Sequence, residues 1–206
     1  MAKQFDKCRL CRREGRKLFL KGARCFTAKC PVEKKGAQPP GVHGPKRPRR
    51  PSSYGLQLRE KQKTKRLYAV LEHQFRRFLG MAEKQKGAIG ENLLILLERR
   101  LDNVVYASTL APSKSLARQL VSHGHVAVNG QKVNTASFLV KKGDKIALST
   151  KGQALCQKIN QEHSVDQEVP PWLKKSQKTV EVIRFPVREE INPDIDENVI
   201  IEYYSR

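Results

Sequence analysis

Residues 112–133, PSKSLARQLVSHGHVAVNGQKV, predict a short helix that is followed directly by a β-hairpin. Apolar side chains at helical spacing, Leu116 and Leu120 among them, form the inward face of the helix. Gly124 is placed to end the helix in the left-handed conformation that glycine adopts easily. The pair Asn129-Gly130 then favours a two-residue type I′ turn between two strands. This segment therefore predicts a small module that carries both a helix and a sheet.

Later residues extend this module. Apolar side chains from Phe138 to Leu148 flank a turn at Lys142-Gly143-Asp144 and predict further strands. A helix near residues 153–161 is expected next, with Cys156 in it as a small buried apolar residue. Trp172 is expected to anchor packing, and residues 180–185 alternate like a strand. Basic side chains on the helices should then lie above a small sheet.

Two longer helical patterns precede the module. Ser52 or Ser53 is a suitable N-cap for a helix whose apolar residues recur at three- and four-residue steps from Leu56 onward. A second helix is expected from about residue 91 to residue 107, buried along one wide apolar stripe. Residues 199–204, VIIEYY, form a β-branched and aromatic run. The fold class expected from these patterns is α+β.

Four cysteines, Cys8-x2-Cys11-x13-Cys25-x4-Cys30, have the spacing of a metal site. Zn²⁺ takes four thiolates in a tetrahedral arrangement, and spacings of about two to four residues within a pair are typical. Structural zinc is therefore the expected cofactor, although four thiolates can also hold an iron–sulfur cluster. The first residues, MAKQFDKCRL, have no apolar core of a secretory signal, so we expect reduced cysteines and a cytoplasmic location.

The charge of the chain points to a polyanionic partner. The 206 residues carry a formal net charge of +21. Residues 1–66 hold 21 Lys and Arg against 4 Asp and Glu, whereas residues 180–206 hold 3 against 7. The longest apolar run, residues 93–97, is far shorter than the roughly 20 residues that span a membrane. Nucleic acid is therefore the expected partner of the N-terminal third.

Proline and glycine are dense between residues 31 and 51, which predicts an extended segment. Within it lies the basic run Lys46-Arg47-Pro48-Arg49-Arg50. An extended basic strand can follow a phosphate backbone or thread between RNA helices. The alternative interpretation is a linker whose charges are solvated.

Other classes of function find little support in the sequence. No phosphate-binding glycine-rich loop and no nucleophile motif with convincing partners is present, so we expect neither an enzyme nor a small-molecule substrate. A zinc-dependent nucleic-acid-binding regulator is the alternative that remains. Such a regulator should have a recognition helix or a dimer seam for reading the major groove. Charge spread over a whole third of the chain is more typical of folded RNA read by shape and phosphates.

The segments 93–106, LLILLERRLDNVVY, and 117–130, ARQLVSHGHVAVNG, resemble the two signature blocks of the family of the bacterial fourth protein of the small ribosomal subunit. Residues 54–63, YGLQLREKQK, and residues 202–206, EYYSR, are similar to the same family. The resemblance covers nearly the whole chain, and the cysteines match its metal-binding branch. It implies a metal-clasped basic arm at 1–45, a mostly helical rRNA-binding domain at 46–98 on which the tail 188–206 packs, and an inserted RNA-binding module at 99–187.

The resemblance also implies a function and a set of partners. The protein is expected to bind the five-prime domain of 16S-type rRNA at a junction of several helices, early in subunit assembly. It should contact small-subunit proteins five and three, and contribute to translational accuracy and to the channel through which mRNA enters. For that channel the resemblance indicates Lys46, Arg47 and Arg49.

Charge and resemblance together predict a set of rRNA-binding residues. They are Arg9, Arg12, Arg13, Arg16, Lys21, Arg24, Arg50, Tyr54, Arg59, Lys61, Lys63, Arg66, Arg100, Lys114, Arg118 and His123.

Overall fold

The chain divides into two units, one of which is discontinuous in sequence. The first consists of Met1–Phe75 with Ile195–Arg206, and the second of Arg76–Asp194. The computed structural model describes residues 6–44, 50–162, 168–176 and 179–205. Within these residues no helix is both long enough and apolar enough to cross a membrane.

The first unit begins with two short helices that flank the cysteines. Helix α1, Lys7–Glu14, is capped by the Asp6 carboxylate, which accepts from the Cys8 amide at 3.1 Å. Helix α2, Pro31–Lys35, lies where the sequence predicted only extended chain. The backbone N–H at the first helical position has no acceptor within the helix, so proline loses no hydrogen bond there. Pro31 therefore starts this helix instead of preventing it. A 3₁₀ turn, Gly22–Phe26, lies between the two helices.

The sequence predicted one helical pattern from Leu56 onward, but the structure has two helices there. They are α3, Ser53–Leu67, and α4, Glu72–Ala82. The Ser52 hydroxyl accepts from the Gly55 amide at 3.2 Å, which confirms the predicted N-cap. The break lies at Ala69, whose φ of +50° is incompatible with a helix. The unit closes with α9, Glu197–Tyr204, which packs on α3.

The second unit contains the predicted module. Its helices are α5, Ile89–Glu98; α6, Leu101–Ala107; α7, Lys114–Ser122; and α8, Thr150–Glu162. Its strands are β1, Val126–Val128; β2, Gln131–Val133; β3, Lys145–Leu148; β4, Leu173–Lys175; and β5, Thr179–Val182. They form one antiparallel sheet in the order β2-β1-β3-β5-β4, and a 3₁₀ turn, Arg188–Glu190, follows. The coarse α+β prediction is confirmed.

The helix expected over residues 91–107 is interrupted at Arg99 and Arg100. The amide of Leu101 donates to the Phe138 carbonyl at 2.8 Å, and the carbonyl of Arg99 accepts from the Val140 amide at 3.0 Å. These bonds redirect the backbone towards the segment before β3, so α5 and α6 are separate helices.

The hairpin follows the prediction closely. Asn129 has a φ of +51° and Gly130 a φ of +82°, the pair of positive angles that a type I′ turn requires. The Asn129 side chain also donates to Asp144 at 2.9 Å and accepts from the Lys145 amide at 2.8 Å, which ties the turn to the start of β3. Gly124, with a φ of +69°, follows α7 in the predicted left-handed conformation.

The core of the second unit lies between the sheet and its helices. Trp172, with 1% of its surface exposed, is one of its largest members, as the sequence predicted. Cys156 is also buried in this core, and burial raises the pKa of its thiol.

Candidate nucleic-acid interface

Helix α1 and the residues that follow it carry four arginines, three of which are exposed. Arg9, Arg13 and Arg16 are exposed, whereas Arg12 is half-buried and donates to the carbonyls of Gln38 at 2.9 Å and Pro39 at 3.3 Å. Arg12 therefore fastens the chain after α2 against α1. The predicted cations Lys21 and Arg24, in and next to the 3₁₀ turn, are also exposed.

The four cysteines lie in one part of the arm. Cys11, Cys25 and Cys30 are buried, Cys8 is partly exposed, and all four are free thiols. Burial raises the pKa of the Cys11 thiol, and the nearby thiols of Cys25, Cys8 and Cys30 raise it further. The amide of Lys21 donates to the sulfur of Cys25 at 3.4 Å.

This donor set has the chemistry of a structural zinc or iron–sulfur site, since it offers four thiols close enough to affect one another. The four thiols, however, do not lie in positions that together form a complete set of metal ligands. The described residues contain no group of three or more His, Cys, Asp or Glu side chains that could hold a metal ion. The metal therefore stays a prediction.

The basic residues of α3 are largely used inside the protein. Arg59 and Arg66 both pair with the buried carboxylate of Glu14 on α1, Arg59 at 3.5 Å. Burial lowers the pKa of both guanidinium groups. Lys63 is buried and pairs with Glu60 at 2.7 Å. The two pairs with Glu14 hold α1 on α3, whereas the pair of Lys63 and Glu60 lies within α3.

Lys61, which is also buried, belongs to a cluster between α3, α4 and α9. Its ammonium lies 3.2 Å from the Glu72 carboxylate and 4.2 Å from the ring centroid of Tyr203. Lys65 lies 2.5 Å from the same carboxylate, and the Tyr204 hydroxyl donates to it at 2.8 Å. Burial acts to raise the pKa of Glu72, but the bonds from Lys65, Tyr204 and Lys61 outweigh it and lower the pKa to about 2.

Arg100 is engaged even more completely. It is 1% exposed, and its Nε and Nη2 donate to the two carboxylate oxygens of Asp102 at 3.0 and 2.6 Å. Arg118, a partly exposed residue of α7, adds a contact to Asp102 at 3.4 Å. Arg100 could reach a phosphate only by leaving this buried carboxylate.

The remaining predicted residues differ in exposure, and burial lowers the pKa of Lys114. Lys114 is half-buried, with its ammonium 5.4 Å from the Tyr106 ring centroid, and His123 is exposed. Arg50 and Tyr54 are exposed, and the Tyr54 hydroxyl lies 3.5 Å from that of Tyr203.

The cations predicted for the mRNA channel, Lys46, Arg47 and Arg49, lie outside the described residues.

Exposed cations of the arm that the predicted list omitted are Lys29, Lys34 and Lys35. They flank Cys30 and Pro31, so their proximity to the cysteine cluster was the signal that could have found them.

Two family models cover most of the chain. Residues 2–98 match the ribosomal protein S4/S9 N-terminal domain, and residues 99–146 match the S4 domain. The matches define the class of protein as a ribosomal-type N-terminal domain followed by an S4 domain.

Similar proteins match this chain over nearly their full length. The chain is 51% identical to the small ribosomal subunit protein uS4 of Natranaerobius thermophilus over 203 residues, which is 97% of this chain and 96% of the relative. It is 53% identical to the protein of that name from Caldicellulosiruptor saccharolyticus and 50% identical to the one from Halothermothrix orenii, with the same coverage. The chain belongs to the uS4 family.

Proposed function

We propose that the protein is a structural constituent of the small ribosomal subunit that binds rRNA and catalyses no reaction. The observation that carries this proposal is its similarity to proteins named small ribosomal subunit protein uS4 over 97% of its length. A cytoplasmic location follows from that role.

The binding surface is built from cations whose side chains are exposed to solvent. On the arm these are Arg9, Arg13, Arg16, Lys21 and Arg24, all of which are exposed. Lys and Arg at such positions neutralise phosphates and release condensed counterions, so affinity falls steeply with salt. A rigid set of cations also selects one arrangement of RNA helices, because only that arrangement places phosphates within reach of all of them.

The salt dependence of binding tests this function. Five-prime-domain RNA of the 16S type should bind with a logarithmic slope that corresponds to several phosphate contacts, at about 0.7–0.9 per contact. Duplex DNA of equal length should compete poorly. Preference for the DNA would instead support the zinc-dependent regulator, and a salt-independent affinity would contradict the proposed mode of binding.

The proposal extends to the order of assembly. Binding at a junction of helices in the five-prime domain would fix their arrangement and let later proteins join. Footprinting of that domain during reconstitution should reveal early protection at the junction when this protein is present. Protection that appears only after other proteins have bound would contradict a nucleating role.

We further propose contacts with small-subunit proteins five and three and with mRNA where it enters the subunit, and through these an effect on translational accuracy. Lys46, Arg47 and Arg49 are the residues proposed for the mRNA channel. Crosslinking on purified small subunits, with probes placed at these three positions, tests the assignment. Crosslinks to mRNA and to the two proteins are expected, and crosslinks confined to internal rRNA would refute it.

The cysteines are proposed to hold one structural zinc ion through Cys8, Cys11, Cys25 and Cys30. When bound, such an ion contributes folding free energy by linking distant ligands. What supports the proposal is the burial of three of these thiols and their closeness to the fourth. Elemental analysis of protein purified without added metal should find one zinc ion per chain. Iron and sulfide with a visible absorbance would favour the cluster, and no metal at all would reject both.

A further inference from the structure

A basic cleft lies in the arm, and Cys8 is the one cysteine of the four that contributes to its lining. It has a volume of about 450 Å³, and its cationic lining comes from α1, the 3₁₀ turn, α2 and Lys29, which lies between the turn and α2. The cations are Arg9, Arg12, Arg24, Lys29, Lys34 and Lys35. A cavity of this size falls within the roughly 300–1,000 Å³ typical of pockets for small ligands or single ligand groups.

The lining has almost no negative charge to balance these cations. Asp6 is the one acidic residue in the lining, and its carboxylate is occupied as the N-cap of α1. Among the described residues no carboxylate forms an ion pair with any of the six cations. A concave surface lined by one sign of charge concentrates the electric field and attracts counter-ions of the opposite sign.

Part of the cleft is preorganised. Arg12 donates from Nε to the Gln38 carbonyl at 2.9 Å and from Nη2 to the Pro39 carbonyl at 3.3 Å. Because its guanidinium group is already ordered, little further conformational entropy is lost when an anion binds. The planar guanidinium group matches phosphate oxygens in a bidentate geometry, whereas lysine supplies point charges from flexible stems. Arginine binds carboxylates in the same geometry, but six cations in one lining suit the successive charges of a phosphate backbone better than the single charge of one carboxylate.

We propose that this cleft is a discrete phosphate-binding site that takes one or two consecutive backbone phosphates of rRNA, with Lys29, Lys34 and Lys35 as ligands in addition to the arginines. The inference rests on the proposed function, because it names the RNA group that the arm holds. It differs from a diffuse basic surface in one respect that can be measured. Particular phosphates should depend on the cleft, and other phosphates should not.

Two double variants with equal loss of charge separate these alternatives. Lys34→Gln/Lys35→Gln removes two adjacent exposed lysines from the cleft, and Lys141→Gln/Lys142→Gln removes two adjacent exposed lysines from the second unit. We expect the cleft variant to reduce the salt slope for five-prime-domain RNA by about 1–2, as expected for losing one or two phosphate contacts. The control variant should change the slope less. Circular dichroism and metal content of both variants should match those of the parent protein.

Single methylphosphonate substitutions in the RNA then locate the contact. In the parent protein and the control variant, neutralising one or two particular phosphates should weaken binding. In the Lys34→Gln/Lys35→Gln variant the same substitutions should have a clearly smaller effect, because their partner charges are gone. If no position loses its effect, or if both double variants weaken binding equally, the cleft is not a discrete site. If the parent protein does not bind this RNA at all, the proposed function fails instead.

Discussion

Asp102 pairs with two arginines of the second unit, Arg100 and Arg118. Its carboxylate accepts two hydrogen bonds from Arg100 and a longer contact from Arg118. A buried charge pair adds little net stability, but removing one partner leaves the other buried without compensation. Arg100 Nη1, which is already buried without a hydrogen-bond partner among the described residues, makes the site still more dependent on Asp102.

Asp102→Asn should therefore lower the free energy of unfolding of the second unit by about 3–5 kcal/mol, the range for breaking a buried ion pair. Urea denaturation followed by the fluorescence of Trp172, the single tryptophan, reports this unit. Glu83→Gln, at an exposed position after α4, is the control and should change stability by no more than about 0.5 kcal/mol. Equal effects of the two variants would contradict a structural role for the pair.

Two glycines should respond to alanine with opposite signs. At Gly124, with φ +69°, a Cβ would lie 2.1 Å from Lys132 Cε, a side chain that can move, but the left-handed backbone would still cost about 1–2 kcal/mol. At Gly80, in α4, a Cβ meets nothing within 4 Å, so Gly80→Ala should stabilise by about 0.4–1 kcal/mol. Trp172 fluorescence during urea unfolding measures both, and a stabilising Gly124→Ala would refute the capping role.

The sequence could not reveal which cations are available to a partner. In the sequence, nothing distinguishes Arg59, Arg66 and Arg100, which are paired inside the protein, from the exposed arginines Arg9 and Arg13. Their difference arises from carboxylates that the fold brings close: Glu14 lies far from Arg66 in sequence and yet pairs with it. Positive charge in a sequence thus predicts the partner's class better than it predicts the contact residues.

At the scale of elements, α3, α4 and α9 meet at the Glu72 carboxylate. The folded-state pKa of Glu72 is about 2, below its ordinary 4.5, so the unfolded chain binds the proton first as pH falls. The stabilisation is fully present above about pH 4.5 and is lost as pH falls towards about 2. Because the side chain is about one-third exposed, salt should weaken the effect.

Glu72→Gln should therefore be less stable than the parent protein above about pH 4.5, and the gap should close on acidification towards about 2. Urea unfolding followed by tyrosine fluorescence suits this measurement, since Tyr203 and Tyr204 lie beside the carboxylate. Glu83→Gln again supplies the comparison. A gap that stays constant across this pH range would show that Glu72 does not act through its charge.

Secondary-structure elements that depend on a few adjacent residues were predicted well from the sequence. Elements whose form depends on tertiary contacts were not. The hairpin at Asn129-Gly130 and the end of α7 at Gly124 depend on a few adjacent residues. By contrast, residues 199–204 have a strand-like composition but form α9, because Asp196 caps the helix and α3 provides a surface to pack on. The division between α5 and α6 likewise depends on backbone bonds to residues 138–140.

For the whole molecule, the division into two units predicts that damage to one can spare the other. Cys25→Ser should disorder residues 1–45 if the cysteines hold a metal, because a ligand of the site is lost. Trp172, in the second unit, should keep its fluorescence and its urea midpoint.

Proteolysis with mass spectrometry reveals which segment becomes accessible in this variant. Cys156→Ser, in a buried position remote from the arm in sequence, is the comparison, and its effect should be confined to the second unit. Cleavage of Cys25→Ser throughout both units would contradict their independence.

The discontinuity of the first unit has a consequence for the order in which the nascent chain can fold. Helix α3 is synthesised well before α9, the helix that packs on it, since all of Arg76–Asp194 lies between the two parts of their unit. The second unit, by contrast, is contiguous and has all its contacting strands once Val182 has been made. During translation the second unit can therefore fold first, while the highly basic N-terminal segment still lacks α9, the last helix of its unit.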